Sequence, residues 1–171
     1  MSYLAELIEA TNAKVLDVGS GPFTTVGTEQ SRIKITACDI LADEYKKLLD
    51  KSGITWIIPV EKQDMECLKY PDELFDIVHC RNALDHTVNP KDALKEMVRV
   101  CKPNGYVYLS HYPNVGHNNK YEGDHRWNIK LLKNDVQIGN ERESFLLSEK
   151  LPEHSSKFEN RMITSIWRKN A

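Results

Sequence analysis

The chain has no Cys-x-x-Cys motif, no excess of basic charge and no long apolar run, and each absence removes a class of protein. Its four cysteines, Cys38, Cys67, Cys80 and Cys101, are scattered through 171 residues, so neither a zinc site nor a redox pair is indicated. The net charge of −2 argues against electrostatic binding of nucleic acid. Because neither a membrane-spanning segment nor a signal-peptide pattern is visible, we expect a cytoplasmic protein that does not bind membranes.

The most informative segment runs from Val15 to Pro22, where an apolar run ends in a Gly-x-Gly turn. Glycine allows the backbone to turn sharply and allows a ligand to lie almost on the main chain. A parallel α/β sheet opens a nucleotide site in this way, at the carboxyl end of its first strand. Asp17 stands two places before the first glycine, and its carboxylate would repel a pyrophosphate. The segment therefore predicts a ligand with a cationic group near the turn.

A third glycine, which the dinucleotide-binding fingerprint requires three residues after the second, is missing. Thr24 occupies that place, and the next glycine is Gly27. Asp39 ends the following apolar run, where an acid can accept hydrogen bonds from both hydroxyls of a ribose. An NAD-dependent oxidoreductase is therefore the less favoured alternative.

The series Asp17, Gly19, Gly21 and Asp39 resembles the class I S-adenosylmethionine-dependent methyltransferases, and within them the type 11 branch that acts on small molecules. Three later segments add to this resemblance, which runs from about Lys14 to Tyr112. They are similar to the family's adenine-side acidic motif, its fourth strand with the following loop, and the turn into its fifth strand: residues 63–65, 75–86 and 102–109.

The resemblance implies S-adenosylmethionine as the cofactor and a small molecule as the methyl acceptor. By the same resemblance, Asp17 would meet the methionine ammonium, Asp39 the ribose and Asp64 the adenine. The implied cofactor-binding set is Asp17, Gly19, Ser20, Gly21, Asp39, Ile40, Asp64, Met65, Arg81 and Asn82. No motif identifies the acceptor or decides whether oxygen, nitrogen or carbon is methylated.

Methyl transfer from a sulfonium depends mainly on alignment of the reacting atoms, which can supply about 7–11 kcal/mol. A general base adds typically about 10²–10⁴-fold when the acceptor must lose a proton early. His86, after the predicted fourth strand, is the best candidate for this base, and His111, at the end of the fifth, is the second. A metal is not indicated, because the possible ligands fit no compact spacing; they are His111, His117, Asp124 and His125.

Alternating strand and helix patterns predict a single α/β domain over residues 1–171, with a Rossmann-like, mostly parallel sheet and helices on both faces. By resemblance, its last strand is antiparallel. The predicted strands are 14–18, 33–38, 54–60, 75–80, 106–111 and 161–168; a hairpin is predicted over 129–138 and a loop over 113–124. The predicted helices are 3–10, a short one within 23–30, 41–49, and one capped by Asn89 and Pro90.

Thirteen residues precede the first predicted strand, fewer than members of the resembled family usually carry there. We expect the helical roof over the acceptor site to be missing, and a second copy, another partner or further residues to cover it. This keeps an alternative function open, in which the chain is a weak or inactive S-adenosylmethionine-binding module that serves as a subunit or regulator.

Overall fold

A seven-stranded sheet forms the centre of the protein in a computed structural model that describes residues 13–26 and 34–171. Its strands are β1 (Lys14–Val18), β2 (Lys34–Asp39), β3 (Val60–Lys62), β4 (Phe75–Arg81), β5 (Cys101–His111), β9 (Ser155–Glu159) and β10 (Met162–Arg168). They lie in the order β3-β2-β1-β4-β5-β10-β9. The first five are parallel, whereas β10 runs antiparallel to both of its neighbours. The predicted Rossmann-like fold with an antiparallel C-terminal strand is therefore confirmed.

Helices cover both faces of this sheet. Helix α2 (Pro90–Val100) begins as predicted, since the Asn89 side chain accepts a hydrogen bond from the Lys91 amide and Pro90 takes the first helical position. Its buried residues pack in the main core with β-strand residues such as Cys38. Helix α1 (Ala42–Lys51) packs with Ala37, the neighbour of Cys38 in β2, and so lies on the opposite face.

A second, three-stranded antiparallel sheet lies in the C-terminal third of the chain. It consists of β6 (Asn128–Leu131), β7 (Val136–Gly139) and β8 (Ser144–Leu146). The first two strands confirm the predicted hairpin, whereas β8 and β9 were not predicted. Buried residues of this sheet, including Ile138 and Phe145, join the same core as α2. The sheet is therefore packed on the α2 side of the domain.

The prediction of a buried strand over residues 54–60 is wrong. Of that run only Val60 belongs to a strand, and Ile54 and Ile57 are 47% and 73% exposed. Pro59 has no backbone N–H to contribute to a ladder, which limits β3 to three residues at the sheet edge. The preceding segment is fixed differently, because the indole of Trp56 donates a hydrogen bond to the Pro22 carbonyl at 2.7 Å.

Two further expectations change in detail. The segment 113–124 contains a short helix, α3 (Val115–Asn118), within the predicted loop. The helix predicted over 3–10 lies outside the described residues. Of the 23–30 segment only residues 23–26 are described, and they are not helical.

Cys38, Cys80 and Cys101 are buried, as expected for core cysteines. Among the described residues, no helix is long and apolar enough to cross a membrane.

Candidate active site

An open cavity of about 300 Å³ lies at the carboxyl ends of β1 and β4. These strands are neighbours and parallel, so the turns that follow them meet at one edge of the sheet. The cavity is lined by Asp17, Gly19, Ser20, Thr25, Arg81 and Asn82. All except Thr25 belong to the cofactor-binding set implied by the sequence resemblance. The fold thus brings together two turns that are far apart in the sequence.

The Gly-x-Gly turn needs both of its glycines, for partly different reasons. Gly19 and Gly21 have positive φ angles of 66° and 67°, a region that other residues rarely adopt. A Cβ atom at Gly19 would also overlap the Ala83 side chain and lie 2.9 Å from Cε of Met65. A Cβ atom at Gly21 would meet nothing within 4 Å. Gly19 therefore allows close packing of the loop after β4, and Gly21 leaves open space.

Asp39, at the end of β2, holds the turn through its carboxylate. Oδ2 accepts a hydrogen bond from the Gly21 amide at 3.0 Å, and Oδ1 accepts one from the Leu41 amide at 2.9 Å. Each carboxylate oxygen retains a further lone pair for a ligand hydroxyl. Asp39 therefore both fixes the turn and offers acceptors beside it.

The other implied cofactor contacts occupy different positions. Ile40 is 55% exposed directly after β2. Met65 is half-buried close to Gly19, so the segment after β3 approaches the glycine turn. Asp64 is exposed, and its Oδ1 accepts a hydrogen bond from the Glu66 amide at 2.9 Å. The structure thus brings Met65 to the turn and places Asp64 on the surface beside it.

The Asp17 carboxylate is held by two side chains that the sequence analysis did not select. Asp17 and His79 are 2% and 3% exposed, and the distance from Oδ1 to the His79 Nδ1 atom is 2.7 Å. The Thr24 hydroxyl donates a hydrogen bond to Oδ2 at 2.5 Å. The His79 ring also stacks on Tyr108, with 5.6 Å between ring centroids. Asp17 is therefore a buried acid with a fixed orientation at the base of the cavity.

The loop after β4 is joined to the end of β5 through Asn82. This residue has a left-handed backbone with φ of 49°, and its amide donates a hydrogen bond to Nδ1 of His111 at 3.0 Å. Its side-chain oxygen accepts one from the Tyr112 amide at 3.0 Å. His111 is 3% exposed, and burial lowers its pKa to about 4, so the imidazole is neutral at pH 7. His111 therefore fixes the loop from inside the protein.

A second group of polar side chains lies farther along the same loop. Asp85 is buried, and its Oδ2 atom lies 2.8 Å from Nδ1 of His125 and 3.4 Å from Nε2 of His86. The two imidazole rings are 4.7 Å apart between centroids, and each is partly exposed. The structure thus adds Asp85 and His125 to His86, the side chain selected from the sequence.

Backbone hydrogen bonds hold this group together. The main-chain oxygen of Asp85 accepts hydrogen bonds from the amides of Arg126 and Trp127, at 2.9 and 3.1 Å. The Trp127 indole donates to the Thr87 carbonyl at 3.0 Å. No signal in one sequence connects residues that lie 40 positions apart, which is why the sequence analysis missed this arrangement.

Comparison with known proteins gives a family match over the parallel half of the sheet. The model of the methyltransferase domain family matches residues 16–109, more than half of the chain. An uncharacterized methyltransferase of Schizosaccharomyces pombe is 32% identical over 117 residues, covering 62% of this chain and 42% of that protein. The ubiquinone/menaquinone biosynthesis C-methyltransferase of Ectopseudomonas mendocina is 30% identical over 111 residues, covering 60% and 43%. These matches thus span about two-fifths of the length of the curated relatives.

A solved structure with the same fold is the Burkholderia thailandensis 1,6-didemethyltoxoflavin-N1-methyltransferase with bound 1,6-didemethyltoxoflavin and S-adenosylhomocysteine. Superposition of the two structures gives a TM-score of 0.60 at 16% sequence identity. The alignment covers 98% of this chain and 77% of the Burkholderia chain. At this identity the likeness concerns the fold.

Proposed function

The chain belongs to the methyltransferase domain family, and on that basis we propose that it transfers a methyl group from S-adenosylmethionine to a small-molecule acceptor. The observation that carries the proposal is the charge pattern of the cavity at the ends of β1 and β4. Its lining includes one acid, Asp17, and one guanidinium, Arg81. This pair complements a zwitterionic amino-acid group, which has one ammonium and one carboxylate.

The residues around the cavity fit the cofactor in a consistent order. We place the methionine ammonium at Asp17 and the methionine carboxylate at Arg81, since each contact joins opposite charges. The glycine turn lets the ligand approach the main chain, and Asp39 lies beside it with lone pairs for the ribose hydroxyls. Met65 then provides an apolar contact for the adenine on the far side of Gly19.

S-adenosylmethionine supplies an electrophilic methyl group on a sulfonium whose departure leaves a neutral thioether. The task of the chain is therefore to hold the amino-acid end and to present the acceptor in line. Asp17 suits this task because His79 and Thr24 fix its carboxylate before any ligand arrives. Asn82 suits it because its hydrogen bonds with His111 and Tyr112 fix the cavity-lining loop after β4.

His86 is the residue that we place next to the acceptor, where it assists loss of the acceptor proton. It is exposed and lies on the loop that directly follows the cavity residues Arg81 and Asn82. His111 is assigned a positioning role instead, because it is buried and its Nδ1 already accepts a hydrogen bond from Asn82. A small acceptor is favoured by the names of two comparison proteins, a ubiquinone/menaquinone biosynthesis C-methyltransferase and a 1,6-didemethyltoxoflavin-N1-methyltransferase.

The test is a calorimetric titration of the chain with S-adenosylhomocysteine, 5′-methylthioadenosine and NAD. We expect S-adenosylhomocysteine to bind most tightly, because 5′-methylthioadenosine lacks the amino-acid group that Asp17 and Arg81 would hold. In Arg81→Gln the advantage of S-adenosylhomocysteine over 5′-methylthioadenosine should shrink by about tenfold or more, the effect of losing a charge-assisted contact. Equal affinity for NAD and S-adenosylhomocysteine would contradict the proposal.

A further inference from the structure

We propose that Asp85, His86 and His125 bind one divalent cation of the zinc or cobalt type on the acceptor side of the site. Within the described part of the chain, these three side chains form a group whose ligating atoms all lie within 4.8 Å of one another. The sequence spacing argued against a metal because it considered only His125 together with His111, His117 and Asp124. The fold instead joins His125 to Asp85 and His86 of a separate loop.

The distances between the ligating atoms suit such a cation. In a tetrahedral zinc site with bonds of about 2.0–2.1 Å, neighbouring ligand atoms lie about 3.3 Å apart. Here the Asp85 Oδ2 atom is 2.8 Å from Nδ1 of His125 and 3.4 Å from Nε2 of His86. These two distances lie near the tetrahedral value, and the distance between the two imidazole nitrogens is below 4.8 Å.

The electrostatics of the group also favour a cation. Asp85 as a whole residue is 6% exposed. Burial of a carboxylate is costly unless a positive charge or several hydrogen-bond donors compensate it. Two neutral imidazoles and one carboxylate carry a single negative charge, which a divalent ion more than balances. Imidazole and carboxylate together suit zinc, cobalt, nickel or iron, whereas magnesium prefers oxygen ligands alone.

The site is organised before an ion arrives, and it is accessible. The hydrogen bonds from Arg126 and Trp127 to the Asp85 main chain hold His125 beside the carboxylate. The side chains of His86 and His125 are 41% and 34% exposed, whereas that of Asp85 is 9% exposed. The carboxylate is thus buried while both imidazoles reach the surface, so an ion could enter from solvent.

The role of this cation rests on the proposed function. An acceptor hydroxyl bound to the ion would have a lowered pKa, as metal-bound water has. Its O–H bond then breaks with the electron pair left on oxygen, and the proton passes to water. His86 would in this way assist proton loss as a ligand of the ion.

Titration of the tag-free, chelator-treated chain with Co²⁺ tests the site, with binding followed by visible absorption. We expect one Co²⁺ per chain and little competition from Mg²⁺. Asp85→Asn and His125→Gln should each weaken binding by more than about tenfold, since even outer-sphere partners of a metal cost 10–100-fold. The matched control is His117→Gln, which removes an exposed imidazole of α3 and should leave Co²⁺ affinity unchanged.

The results of these titrations distinguish failure of the cation site from failure of the proposed function. Absence of stoichiometric Co²⁺ binding, or equal affinity in wild type and Asp85→Asn, would overturn the cation site. S-adenosylhomocysteine titrations of the same samples check the fold of each variant and test the proposed function separately. Cobalt binding without S-adenosylhomocysteine binding would support the cation site and remove the methyltransferase proposal, and the reverse pattern would remove the cation site alone.

Discussion

The Asp17 carboxylate lies 2.7 Å from Nδ1 of His79, and the two residues face each other in register on β1 and β4. A buried acid that also lines a cavity needs such a partner, because it cannot rely on water alone for hydrogen bonds. The pair therefore connects the stability of the sheet to the orientation of the acid that we place at the methionine ammonium.

Replacement of His79 by alanine should lower both stability and cofactor affinity. Asp17 would lose a hydrogen-bond partner in a buried position, which costs about 1–3 kcal/mol of the free energy of unfolding. Urea unfolding and calorimetry with S-adenosylhomocysteine measure the two effects, with exposed His117→Ala as the control. A loss of stability with unchanged affinity would show that His79 supports the sheet without orienting Asp17 for the ligand.

The two glycines of the turn provide a matched pair of variants. Gly19→Ala and Gly21→Ala both place an alanine at a positive φ, at a shared cost of about 1–2 kcal/mol. Only Gly19→Ala also forces a methyl group against Ala83 and Met65. Gly19→Ala should therefore lower the free energy of unfolding more than Gly21→Ala does. Equal losses in urea unfolding would mean that the loop after β4 moves away without cost.

Asp39→Asn should weaken binding of S-adenosylhomocysteine by about ten- to a thousandfold, as expected for loss of one or two hydrogen bonds to a charged group. The variant keeps one oxygen acceptor for the turn but presents an amide group where the second oxygen stood. Asp50→Asn is the control, because this exposed residue at the far end of α1 pairs with Lys46 of the same helix. An unchanged dissociation constant in Asp39→Asn would limit Asp39 to its bonds with the Gly21 and Leu41 amides.

His111 should make the protein sensitive to acid. Burial lowers its pKa from 6.5 to about 4, so between these values the unfolded chain takes up a proton that the native chain does not. Its stabilising contribution is complete above pH 6.5 and is lost as the pH falls to about 4, at about 1.4 kcal/mol per pH unit. Urea unfolding of wild type and His111→Gln at several pH values measures this, and parallel pH profiles of the two proteins would contradict it.

Much of the parallel half of the fold follows from local sequence patterns. The Asn89–Pro90 helix start and the apolar run before the glycine turn are decided by residues close together in the chain, and both occur as expected. The strand predicted over 54–60 does not form because Pro59 cannot donate to a ladder, so the edge strand begins only at Val60. The edge strand β9 has no buried residue, so its hydrophobic pattern is weak.

The candidate site likewise contains some residues that the sequence predicts and others that only the folded structure brings together. Five of the six cavity-lining residues were implied by the family resemblance, because they lie at the end of a predicted strand or in the turn that follows one. His79 could not be selected in this way, since its meeting with Asp17 depends on strand register. Asp85 could not either, and nothing joined His125 to it, because their contact depends on how the segment after β5 folds back onto the loop after β4.

The hydrogen bonds from Arg126 and Trp127 to the loop after β4 join two parts of the chain that differ in their match to the family. The family match ends at Leu109, so His125 and the second sheet belong to a part of the chain that the family model does not cover. The glycine turn and Asp85 lie inside the matched range, and His125 lies outside it. Replacing His125 would therefore change the proposed cation site and leave the glycine turn as it is.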